Sequence, residues 1–174
     1  MATTYTLISS VTVGSGGASS IAFTSIPATY TDLCVLLSVR SNRASNPNDS
    51  LALEVNGSTS NRSGRTLFGD TSAASSTTTT SEVAFAALTA STATANTFSN
   101  ILVYCPNYLS SNYKSFSADG VTENNSSAVE STYQSLNAWL WSDTSAITSL
   151  TFKSSTGNSF VQYSTAYLYG ISSS

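Results

Sequence analysis

Apolar side chains recur at every second position along most of this chain, and the roughly 3.6-residue period of a helix is nearly absent. Residues 32–40 show it best. Leu33, Val35, Leu37 and Val39 fall on one face, and Cys34, Leu36, Ser38 and Arg40 on the other. Successive side chains of an extended chain point to opposite sides, so this is a strand, apolar enough to be covered on much of both faces. Tyr5, Leu7 and Ser9 alternate with Thr6 and Ile8, and Leu51, Leu53 and Val55 with Ala52 and Glu54. From Tyr133 to Trp141, Leu136, Ala138 and Leu140 lie on one side and Trp139 and Trp141 on the other. The closing run sets Tyr167, Tyr169 and Ile171 against Ala166 and Leu168.

Turn signals separate these runs: Gly14-Ser15-Gly16-Gly17, Asn56-Gly57, Asn124 to Ser127, and Thr156-Gly157-Asn158. Pro27 and Pro106 end strands, and Pro47 sits in a polar loop. The pattern predicts an all-β chain of about nine to eleven short strands, an antiparallel, jelly-roll-like β-sandwich. Residues 1–174 form a single domain on this reading. Within it, 70–81 (DTSAASSTTTTS) is an expected exposed loop or arm, and 83–88 is the one place where a short helix fits. No internal repeat supports a solenoid or propeller.

Composition says what kind of surface this is. Only 9% of residues are charged while 40% are hydrophobic, so the chain lacks the signature of disorder. Hydroxyls replace the missing charge, with 37 Ser and 25 Thr. A net charge of −3 on six basic residues cannot neutralise a phosphate backbone, so no nucleic-acid partner is expected. No membrane partner is expected either, because no stretch approaches about 18 apolar residues. MATTYTLISS has neither a basic region nor a long apolar core, so no signal peptide is read and synthesis in the cytoplasm of whatever cell makes the chain is expected.

The residues that carry most enzyme chemistry are scarce. Histidine is absent, which removes the commonest general base and the commonest metal ligand. Cys34 and Cys105 stand alone in apolar runs and read as buried thiols, with a bridge between neighbouring strands as the alternative. The glycine-rich run at 14–17 lacks the lysine of a phosphate loop. Paired carboxylates, drawn from Glu54, Glu123 and Glu130, are the one enzymatic opening, and solvated strand-edge acids are the plainer reading. Asp49, Asp70 and Asp119 are isolated and make no calcium loop. No catalytic residue, metal or cofactor is expected. Aromatics are the remaining candidates. Trp139, Trp141, Tyr108, Tyr113, Tyr167 and Tyr169 suit either core or subunit interface, or contact with a glycan.

Several blocks together resemble a known group. TYTLISSVTV, SIPATYTDLCVLLSVRSNR, CPNYLSSNYKSFSADG and AWLWSDTSAITSLTFKSSTGNSFVQYSTAYLYGI are similar to small Ser/Thr-rich virion proteins of tailed bacteriophages. The similarity spans nearly the whole chain. It implies a structural virion component: a capsid decoration (cement) protein that stabilises the head by bridging major capsid subunits. The alternative is a tail-fibre or receptor-binding module that recognises host glycan. The resemblance also implies self-assembly as a homotrimer, and transfers no catalytic residues.

Overall fold

The computed structural model describes residues 4–70, 72–79, 86–126 and 132–172. Among them the chain forms twelve strands and no helix. In order these are β1 (Tyr5–Thr12), β2 (Ser20–Phe23), β3 (Asp32–Val39), β4 (Asn48–Val55), β5 (Arg62–Gly69), β6 (Ala74–Thr79), β7 (Ala86–Thr89), β8 (Ser99–Cys105), β9 (Lys114–Val121), β10 (Gln134–Trp141), β11 (Leu150–Ser154) and β12 (Thr165–Ile171). They build an eight-stranded sheet, β1-β12-β3-β8-β9-β10-β5-β6, facing a four-stranded one, β2-β11-β4-β7. All strand pairings are antiparallel.

Eight of the strands follow a rolled hairpin. β1 pairs with β12, β2 with β11, β3 with β8 and β4 with β7. The pairs β12·β3 and β11·β4 then join these ribbons into two four-stranded halves. That is the double Greek-key path of a jelly roll. The other four strands are insertions. β5 and β6 follow β4, β9 and β10 follow β8, and all four extend one half beyond β8.

The expected sandwich is therefore present, with twelve strands in place of nine to eleven. Two local expectations change. Residues 74–79 are not a free arm: they hydrogen-bond along β5 as an edge strand, from Gly64↔Thr79 to Gly69↔Ala74. Asp70 turns the chain into it, its Oδ1 accepting from the amides of Ser72 at 2.7 Å and Ala73 at 2.9 Å. Residues 72–78 are exposed as expected, but the hydroxyl-rich sequence hides the pairing of the segment. Residues 86–88 belong to strand β7 rather than a helix; 71, 80–81 and 83–85 lie outside the described residues.

The core lies between the sheets. Leu33, Val35, Leu37, Ile101, Val103, Phe116, Trp139 and Trp141 face Ile21, Phe23, Leu51, Leu53, Val55, Leu150 and Phe152, all buried. Two cations complete it. Arg62 reaches across from β5 to donate to the Leu53 carbonyl of β4, with its guanidinium 5.2 Å from the Trp139 ring centre. Lys114 donates to the Ser145 carbonyl, and its ammonium stands 5.5 Å from the Trp141 ring. Both ions keep polar partners and an aromatic face, which offsets part of their desolvation. Gly64 leaves the space the Trp139 indole occupies; a Cβ there would overlap the ring.

Asn56-Gly57 makes the turn its sequence signals, with φ of 53° and 72°. Val55 and Ser58 exchange backbone hydrogen bonds across it. The chain then leaves for the other sheet, so this tight turn ends a strand without making β4 and β5 a hairpin.

Candidate interaction surface

The outer face of the eight-stranded sheet is the most unusual surface of the molecule. The registers place Ser10, Tyr167, Leu36, Leu102, Asp119, Leu136, Leu67 and Ser76 in one row, each opposite the next, across all eight strands. Every member is exposed. Leu136 is 61% accessible and Leu67 54%. Of the eleven exposed large hydrophobic residues described, eight sit on this face: Tyr5, Leu7, Leu36, Leu67, Leu102, Val121, Leu136 and Tyr167. Scattered exposed leucines need no explanation, but large apolar side chains gathered on one face mark a contact site. The four-stranded sheet shows Ala52, Thr151 and a Lys153–Glu54 ion pair at 2.6 Å on its outer side instead.

The face has two ends. Toward β1 it is aromatic: Tyr5 and Tyr169 meet edge to face at 6.3 Å. Tyr104 Oη donates to Asp32 Oδ2 at 2.7 Å, and that bond, with burial behind it, pushes the phenol up to about 12. Toward β6 the face is aliphatic, with Leu102, Leu136 and Leu67 around a shallow groove of about 620 Å3 that also exposes Arg65 and Asp119.

The sequence candidates divide. Tyr167 is exposed and Tyr169 half-buried on this face, and Tyr113 is exposed in the loop before β9. Trp139, Trp141 and Tyr108 are not surface residues. They are 3%, 2% and 0% accessible, so the expectation of interface or glycan contact does not hold for them. The indoles fill the interior of the sandwich, and the Tyr108 hydroxyl is spent on the Pro27 carbonyl. The residues sequence reasoning missed are their strand neighbours: Leu136, which lies on the opposite side of β10 from Trp139, and its row partners Leu67 and Leu102.

The polar residues mostly serve the fold. All six Lys and Arg are described, and Arg40, Arg62 and Lys114 are buried. Arg40 holds the 91–97 loop through the carbonyls of Ser91, Ala93, Thr94 and Thr97, at 2.8 to 3.1 Å. Arg43 lies 4.0 Å from Asp49, and Lys153 is paired with Glu54. Among these cations only Arg65 is exposed without a carboxylate in contact. Asp49 is a buried acceptor for Ser154 Oγ and Thr156 Oγ1, both at 2.8 Å. Glu54 lies on β4 of the four-stranded sheet and Glu123 in the loop after β9, where it accepts from the Asn125 amide at 2.6 Å. Glu130 lies outside the described residues. Cys34 and Cys105 are free, and the alternation sends them to opposite faces of the sheet. No cluster of metal-ligating side chains occurs among the described residues, and no described helix is long and apolar enough to cross a membrane.

One cleft has a mixed lining. Phe68 and Tyr133 meet edge to face at 5.8 Å beside Arg43, Asn46, Asn48 and Asn137, around a volume of about 300 Å3. Comparison with known protein families, with characterised proteins and with solved structures found no match.

Proposed function

We propose that the protein is a non-enzymatic structural part of a tailed-phage particle, carried in many copies on the head as a decoration protein that bridges capsid subunits. The observation that carries this reading is the row of exposed leucines across the outer face of the eight-stranded sheet. A wide, weakly charged face suits burial against another protein, where area and complementarity do the binding. The jelly-roll path supports it by analogy, since viral shells use that fold, as do lectins. The cations spent internally leave little for phosphate recognition. Resemblance carries the phage assignment itself.

Quantitative mass spectrometry of purified particles tests the reading. A decoration protein stands in fixed ratio to the major capsid protein, and removing it lowers the temperature at which heads burst until the protein is added back. A ratio of only a few copies per particle, with head stability unchanged, contradicts it.

A second reading, host-glycan recognition by a tail module, is favoured by the Phe68–Tyr133 cleft. Aromatic faces with neighbouring amides are a common way to hold a sugar ring. Binding on a glycan array that Tyr133→Ala abolishes would favour this reading.

A further inference from the structure

We infer that two copies of this chain pack face to face through the aliphatic end of the eight-stranded sheet, about a twofold axis that crosses β10 between Leu136 and Ala138. This does not depend on the virion reading: it assigns the aliphatic end of the face to a second copy, paired about a twofold axis in place of the homotrimer that the resemblance implies, and leaves the aromatic end toward β1 for other contacts.

The argument starts from charge. Arg65 and Asp119 are the charged residues of the groove, both exposed, with β10 standing between them. Arg65 lies on β5 opposite Ala138, and Asp119 on β9 opposite Leu136. They therefore sit on either side of one point of β10. A twofold axis in the plane of the face, through that point and across the line joining them, carries each onto the other's place. Arg65 of each copy then stands over Asp119 of the other, and one operation makes two ion pairs. Such self-complementarity is the requirement of an isologous interface. Within one copy Arg65 is held only by Thr78 Oγ1, and the Asp119 carboxylate has no hydrogen bond or ion pair among the described residues. The same operation brings Leu136 of each copy close to Leu67 of the other, covering the two most exposed leucines of the row.

The area is sufficient. Five strands, β8-β9-β10-β5-β6, take part. At about 4.8 Å between strands and about 3.4 Å per residue they form a patch of about 24 by 24 Å. That is about 600 Å2 per copy and about 1,200 Å2 in total, above the roughly 1,000 Å2 a specific interface needs.

Sedimentation of the full chain over a concentration series tests this, with R65D, D119R, the double variant R65D/D119R and L136D. The expected result is a wild-type pair of twice the 18.1 kDa chain mass. Each single reversal and L136D weakens it about a hundredfold. The double variant pairs again. An equimolar mixture of R65D and D119R also pairs, because each contact of the mixed pair sets an acid against a base. Asp119 has no partner to lose within its own copy, so D119R remains informative should R65D loosen β6; strand-type circular dichroism identifies that case. A wild-type monomer at every concentration overturns the inference. So does a threefold assembly, reversal variants that pair as well as wild type, or a mixture that stays apart.

Discussion

Cys105 lies on the inner face of β8, where burial pushes its thiol from an ordinary value of 9.0 up to about 12. Between those values the unfolded chain has lost a proton that the folded chain keeps. The folded state binds more protons there, so stability falls as pH rises through that window and is fully present below it. Tyr104, raised from 10.0 to about 12, acts with the same sign. Lys114 acts in the other direction. Burial lowers its ammonium below the ordinary 10.5, so its cost to the fold shrinks as pH rises toward that value. The thiol's share is separable by Cys105→Ala. Urea denaturation across the window should show a shallower loss of stability with pH than in wild type. An unchanged slope would mean the thiol titrates alike in both states. The sequence points to the burial of Cys105, since it ends an apolar run. The burial of Arg40, Arg62 and Lys114 is not legible there. Each depends on carbonyls or rings brought close by the fold, as Arg62 depends on Leu53 of the opposite sheet.

Strand β10 shows why alternation decides less than it suggests. Trp139 and Leu136 lie three positions apart on opposite sides of the strand, one 3% accessible and the other 61%. Period two separates the two sides cleanly, but both are apolar, so it does not say which is inside. The four-stranded sheet decides that, by covering the tryptophan side. The two positions should therefore respond oppositely to mutation. Trp139→Ala opens a cavity in the core and should cost about 3–5 kcal/mol. Leu136→Ser should leave the stability of the single chain within about 0.5 kcal/mol. Chemical denaturation at low protein concentration checks both, and similar losses would place Leu136 in the core. β6 is the converse case: its polar ASSTTT run carries no alternation, and it is a strand because β5 offers it an edge.

At the scale of the molecule, the alternation and turns supply a sandwich but not its path. Pairing β1 with β12 closes almost the whole chain, and β5 pairs with β10 through an insertion that follows β8. Such long-range partners leave no local mark. The consequence for function is the four-strand extension of one sheet. It widens a jelly-roll half into a face that the smaller sheet covers on one side only, and the other side bears the leucine row. The proposed role in the particle rests on what meets that side. Cryo-electron microscopy of the intact phage particle, with the sandwich fitted to its density, tests this most directly. The account predicts copies repeating with the symmetry of the head, on its outside, with the outer face of the eight-stranded sheet buried against a neighbouring protein. Density for the chain only at the tail tip, or copies on the head with that face open to solvent, would contradict it.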